Sequence, residues 1–292
     1  MAVVAERFTE GHRRRKRLTT FLLGLFLLYT FFPLFYLIVA STKSNQDLFS
    51  TFGLWFGEDF GLATNLRDVF THSGGVFGRW LLNTFVYSAA AALGAALLAT
   101  AAGYAFAKFS FRGRNAIFAA ILGAIMIPQT ALVVPIFLLL AQMGLTDSPL
   151  GVVLPLMISP IGVYLMRVYI EQGVDDALID AARMDGASEF RIFRSIVFRL
   201  VMPGFVTVLL LAFVATWNNY FLPLIVLRSP EYFPLTVGLA SWYQLASQGG
   251  GGGQAMFSLV LTGALVSIVP VIVVFLMLQR FWQGGLAIGA VK

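Results

Sequence analysis

The 292-residue chain is 59% hydrophobic and only 12% charged, and with a mean hydropathy of +0.83 it carries more apolar surface than a soluble fold of this length buries. The absence of cysteine excludes disulfides, thiolate catalysis and cysteine-ligated metals. The formal charge of +6 does not indicate nucleic acid, because it tracks the loops between apolar runs.

Residues 1–17 form a basic segment ending in Arg13, Arg14, Arg15, Lys16 and Arg17. The apolar run that follows, 18–40, is about twice the roughly 7–15 residues of a signal-peptide core and reads as a retained first membrane span. Residues 41–80 are polar, with Trp55 and Trp80 suited to a membrane interface. A second span covers 81–106, where Ala91, Ala95, Ala99 and Gly103 recur every four residues as a stripe against which another helix can pack closely. Alanine is also simply common in membrane helices.

The third span, 116–143, contains Pro128 and Pro135, which remove backbone donors and should kink or interrupt it. A tight turn at Thr146, Asp147 and Ser148 leads into the fourth, 151–170, with its own Pro155 and Pro160. The fifth span covers 204–227 and carries Trp217, Asn218, Asn219 and Tyr220 near its far end. Residues 228–255 form a second polar segment in which Gly249 to Gly253 read as a flexible linker. The sixth span covers 256–278.

Together these make an all-α polytopic membrane protein of six transmembrane helices, with a single transmembrane domain occupying 18–292. An even number of spans puts both termini and the 171–203 loop on one side. Sixteen of the 20 basic residues then fall on that side and four, Lys43, Arg67, Arg79 and Arg228, on the other. That asymmetry makes the richer side cytoplasmic.

No span has an acid or lysine near its middle, which disfavours an ion-coupled transporter. No phosphate-cradling GxxxxGK[ST] loop, GxSxG elbow or metal-ligand spacing occurs, and His12 and His72 stand alone. No catalytic residue, metal or cofactor is assigned to the chain.

The charged loop 171–203 is different in kind. Asp175 and Asp176 suit the positive end of a helix over Asp176 to Met184. Asp185-Gly186 ends it, because glycine accepts the left-handed conformation found just past a helix C-terminus. A second helix from about Ser188 repeats Phe190, Phe193, Ile196, Val197 and Leu200 at spacings of three and four, with Arg191, Arg194 and Arg199 on other faces. Such a helix–turn–helix suits either a docking surface or an ordinary solvated loop.

The run Asp180-Ala181-Ala182-Arg183-Met184-Asp185-Gly186-Ala187, followed by Phe193, Ile196 and Pro203, resembles the EAA loop of ABC importer permeases. Two positions depart from that pattern: Asp180 replaces a glutamate and Arg199 stands where the first proline is usual. Asn83-Thr84, the run Gly103 to Lys108, Trp217-Asn218-Asn219 and the terminal Gly289 to Lys292 resemble the sugar-importer branch, more narrowly the maltose-permease G type of subunit. The resemblance implies a type I importer permease in the cytoplasmic membrane of a prokaryote. It implies as partners a second related permease, two ATPase subunits carrying ATP and Mg, and an extracytoplasmic solute-binding protein, with a sugar as substrate and membrane lipid around it. It also implies coupling to the ATPase through Asp180, Ala181, Ala182, Asp185, Gly186, Ala187 and Phe193. The aromatic and amide groups of Asn218, Asn219 and Tyr220 are candidates for the sugar pathway. A polar non-sugar such as a glycerol phosphate ester remains the alternative substrate, and a stand-alone secondary transporter the alternative class.

Overall fold

A computed structural model describes residues 2–248 and 256–286. The glycine run 249–253 and the terminal 289–292 lie outside them. The described residues are almost entirely helical and contain no strand. Four helices are long and apolar enough to cross a membrane, Lys16–Ser41, Val76–Lys108, Pro149–Gly173 and Met256–Gln279, and six if two bent pairs each count as one span.

The chain forms two compact units. In the first, Met1–Val69 with Trp242–Val266, α1 (Ala2–Ser41) continues the basic segment into the apolar run without a break. Its side chains from Leu18 to Tyr36 are largely exposed, as a membrane-facing helix requires. The segment after α1 is knotted by polar side chains. Asn65, in α3 (Leu62–Thr71), donates to the carbonyls of Ser41 and Lys43 at 2.8 and 2.9 Å. Lys43, only 1% exposed, donates to the Thr51 hydroxyl and the Phe52 carbonyl. Between them α2 (Asn45–Ser50) is capped by the Ser44 side chain. Trp55, by contrast, is 63% exposed.

The second unit, Phe70–Ser241 with Ser267–Lys292, is built around α4 (Val76–Lys108). The small-residue stripe is buried along this helix: Ala91, Ala95 and Ala99 are at most 1% exposed. A β-carbon on Gly103 would lie 2.8 Å from the Arg167 backbone nitrogen, so α4 and α8 (Pro160–Gly173) meet backbone to backbone there.

The other end of α4 holds the segment 230–235. Trp80 Nε1 donates to the Pro230 carbonyl, Asn83 Nδ2 to the Glu231 and Phe233 carbonyls, and the Tyr87 hydroxyl to the Tyr232 carbonyl. The Thr84 hydroxyl accepts from Leu235 N–H. Trp80 is therefore buried, its ring against Gly238, and is not an interfacial tryptophan.

The proline positions separate cleanly. Of the kink or interruption expected of the third span, an interruption occurs at Pro128, across which α5 (Arg114–Ile125) and α6 (Gln129–Gln142) meet at 108°, while Pro135 stays inside α6. Pro128 has no N–H and disfavours helical backbone at Ile127, which lies outside both helices. The fourth span divides into α7 (Pro149–Leu156), which retains Pro155, and α8, which Pro160 begins with Ser159 as its cap.

Two further expectations are corrected. The fifth span does not run unbroken to 227: α12 (Met202–Trp217) stops at Asn218, and α13 (Phe221–Val226) is a separate short helix. The segment 228–255 is not simply polar, because it contains α14 (Leu235–Ser247). The last long helix, α15 (Met256–Leu286), outruns the expected sixth span.

Asp147, at φ +52, closes the turn before α7. Its carboxylate accepts from Arg228 N–H, Ser229 N–H and the Ser229 hydroxyl at 2.8, 2.9 and 2.6 Å. The hydroxyl chiefly, then the two N–H groups, hold the Asp147 carboxyl below its ordinary range.

Candidate functional site

The helix pair forms between α8 and α12. Asp175 caps α9 (Asp176–Met184), accepting from Ala177 N–H at 3.0 Å. The helix closes on Gly186, whose φ is +76. Gly186 N–H bonds the Arg183 carbonyl and Ala187 N–H the Ala182 carbonyl, both at 3.0 Å. This is the paired Schellman pattern, and it consumes two carbonyls that the helix end would otherwise leave bare.

Ser188 then caps an arm of three pieces: α10 (Glu189–Ile192), a π turn at Phe193–Val197 and α11 (Phe198–Leu200). The arm meets α12 at 79°.

Apolar spacing decides which way each side chain points. Ile179, Ala182, Ile192 and Val197 turn inward onto Met166, Ile170, Val174 and Val201. Phe193 joins them half-buried, its ring 5.3 Å from that of Tyr104. Asp180, Ala181, Asp185 and Gly186 face outward, Ala187 is half-buried, and Met184 at 89% and Phe190 at 72% exposure make an apolar tip. Of the residues proposed from the sequence, Ala182 and Phe193 thus fasten the element, while Asp180, Ala181, Asp185 and Gly186 present it.

Five polar links brace the pair and tie it to α4. Arg183 bridges Asp180 at 3.0 Å and Glu189 at 2.7 Å, clamping α9 to the arm. Tyr104 donates to the other oxygen of Glu189 at 3.2 Å. Lys108, its side chain 7% exposed, donates to the Val174 carbonyl at 2.6 Å and to Asp176 at 2.5 Å. The Lys108 hydrogen bond, with its charge, holds the Asp176 carboxyl below its ordinary value. At the neighbouring end of α8, Glu171 accepts from Arg167, whose guanidinium lies 3.9 Å over the Phe118 ring of α5. α4 and α8 therefore meet at the base of one exposed polar element, with α5 packed against the same end of α8.

Tyr104, Lys108 and Glu189 escaped the sequence reading as site residues. Tyr104 and Lys108 lie 85 and 68 positions from their partners, beyond any helical spacing rule.

Asn218, Asn219 and Tyr220 lie together at the break between α12 and α13. Asn218 donates to the Val214 carbonyl, the Asn219 side-chain oxygen accepts from Leu222 N–H, and the Asn219 carbonyl accepts from the Thr236 hydroxyl. Trp217 is buried and stacked on Phe213. Among the described residues no group of three His, Asp or Glu could hold a metal.

Comparison with known proteins follows the same lines. Residues 95–283 match the family described as binding-protein-dependent transport system inner membrane component. The arabinooligosaccharides transport system permease protein AraQ of Bacillus subtilis (strain 168) is 36% identical, over 95% of this chain and 96% of its own. The sn-glycerol-3-phosphate transport system permease protein UgpE of Pectobacterium atrosepticum is 31% identical over 89% and 92%. A bacterial ABC transporter involved in the import of the acidic polysaccharide alginate contains a chain of the same fold, with a TM-score of 0.80 and 25% identity over 92% and 97%. With about two thirds of its length matched to one transport family, and relatives matched from end to end, the chain belongs to the binding-protein-dependent transport system inner membrane components.

Proposed function

We propose that this chain is the permease subunit of an ATP-binding cassette importer that moves a di- or oligosaccharide by alternating access. The observation that carries the coupling half is the outward tip of Met184 and Phe190 on a helix pair bolted to α4 and α8. An isolated solvated loop has no reason to bury Lys108 against its own backbone. The sugar rests on the similarity to the arabinooligosaccharide permease.

In this reading the chain pairs with a second, related permease, and an extracytoplasmic binding protein delivers the solute. Two ATPase subunits bind ATP and Mg. The helix pair 171–203 faces the cytoplasm with both termini, as the basic-residue asymmetry supports. It seats in the ATPase, with Asp180, Ala181, Ala182, Asp185, Gly186, Ala187 and Phe193 forming its motif. ATPase closure shifts the pair, and coupling requires that the two permease states contact the ATPase differently. Asn218, Asn219 and Tyr220 lie on the sugar pathway, where a helix break leaves amide groups near the passage.

Similarity to the glycerol phosphate permease favours a second reading, in which the solute is a polar phosphate ester. The test is uptake by the complete importer in vesicles supplied with its binding protein. Labelled arabinooligosaccharide should accumulate only with ATP. Accumulation without ATP overturns the importer reading, and accumulation of glycerol phosphate in place of sugar overturns the substrate. A companion experiment places a single cysteine at Met184, available because the chain has none. Crosslinking to the ATPase is expected, and its absence at Met184 and Phe190 alike would overturn docking.

A further inference from the structure

The arm 189–200 carries three arginines that neither the inward packing nor the clamp employs. Arg191, Arg194 and Arg199 are exposed, and no carboxylate of the described residues lies within ion-pair distance of any of them. The one acid on the arm, Glu189, is committed to Arg183 and Tyr104. On a regular helix Arg199 falls about 80° from Arg191, on the side away from Arg194. The π turn at Phe193–Val197, closed by Phe198 N–H on the Phe193 carbonyl, inserts one extra residue. That turns everything after it back by about 100° and brings Arg199 between the other two.

All three line one open depression of about 550 Å³ with Ser188, Ser195 and Phe190. Its place in the fold selects the ligand. The arm lies at 79° to α12, whose apolar run begins three residues after Arg199, so it runs roughly along the membrane plane at headgroup depth.

We propose that Arg191, Arg194 and Arg199 form a binding site for the phosphate of an anionic phospholipid. The planar guanidinium forks hold the phosphodiester oxygens, and Ser188 and Ser195 supply hydroxyl donors. Arg199 then has a chemical role at the position where the family pattern has proline. The site is independent of whether the helix pair docks an ATPase, and its test reads lipid and not transport.

Titration of short-chain phosphatidylglycerol into the purified importer, with short-chain phosphatidylcholine as reference, measures the site. Each guanidinium near a charged lipid surface strengthens binding about five-fold. Arg199→Gln should therefore weaken phosphatidylglycerol binding about five-fold and the Arg191→Gln, Arg194→Gln, Arg199→Gln triple variant about 100-fold. Arg228→Gln, beyond the separate helix α13, should leave it unchanged. Native mass spectrometry should show one anionic lipid fewer on the triple variant, with partner subunits retained. An unchanged titration in the triple variant overturns the proposal. So does loss of the ATPase subunits with lipid binding intact, which would assign the arginines to an acidic protein surface. Equal binding of inorganic phosphate and phosphatidylglycerol overturns the lipid source in favour of a free anion.

Discussion

Gly186 offers the sharpest test of the helix pair, because space and backbone conformation separate there. Its φ is +76, yet a β-carbon built on it meets nothing within 4 Å. A substitution is therefore opposed by conformation alone. Asparagine tolerates the left-handed region, alanine costs about 1–2 kcal/mol there, and β-branched valine sits at the upper end of the about 1–3 kcal/mol of such strain. The turn is held by two hydrogen bonds, from Gly186 and Ala187 N–H, each contributing about 0.5–1.5 kcal/mol net. A strain of about 2 kcal/mol matches what they supply and shifts the turn's opening equilibrium about 30-fold. ATP-driven uptake by vesicles containing the assembled importer should thus fall in the order Gly, Asn, Ala, Val, with equal protein in the membrane. Wild-type uptake by Gly186→Val refutes the reasoning. Equal failure of Asn and Val also refutes it, since that pattern means bulk and not φ.

Lys108→Met keeps the stem but leaves Asp176 and the Val174 carbonyl without their donor. It should uncouple ATP hydrolysis from uptake while leaving membrane insertion intact, and paired hydrolysis and uptake assays read this directly. At Gly103 the neighbours are two backbone atoms and the Met166 β-carbon fixed to them, so Gly103→Val should destabilise the protein by about 1–3 kcal/mol, measured as a lower melting temperature in detergent. Asp147→Asn preserves a residue that tolerates positive φ but removes the charge. Because the folded Asp147 carboxyl titrates below its ordinary 3.8, its contribution is complete above that pH and is lost as pH falls through the lower folded value. Melting temperatures of wild type and Asp147→Asn should differ at neutral pH and converge in acid. A constant difference counts against the charge.

Local punctuation was legible in the sequence, and long-range packing was not. The bounds of α9 and the glycine turn follow from Asp175, Asp185 and Gly186, whose effects reach only a few residues along the chain. The break at Pro128 was legible for the same reason, although Pro135 and Pro155 are accommodated inside helices that neighbours support. The stop at Asn218 was hidden because 204–227 is apolar almost throughout, and an apolar run does not show where its hydrogen-bond ladder ends. Trp80 misled for a different reason: its partner, Pro230, is 150 positions away, and tryptophan suits a buried slot or an interface equally well. Likewise nothing in the run from Gly103 to Lys108 indicates that its tyrosine and lysine reach the helix pair.

The 33 residues of α4 make a rod about 50 Å long. At one end Tyr104 and Lys108 grip the helix pair, and at the other Trp80, Asn83, Thr84 and Tyr87 grip the segment 230–235. If the rod pivots near its middle, where the alanine stripe is packed, a push of about 3 Å at Lys108 tilts it by about 7° and moves the Trp80 end as far in the opposite sense. A pull on one face of the membrane and a release on the other are then a single seesaw motion, with no relay of side-chain rearrangements through the bilayer between them.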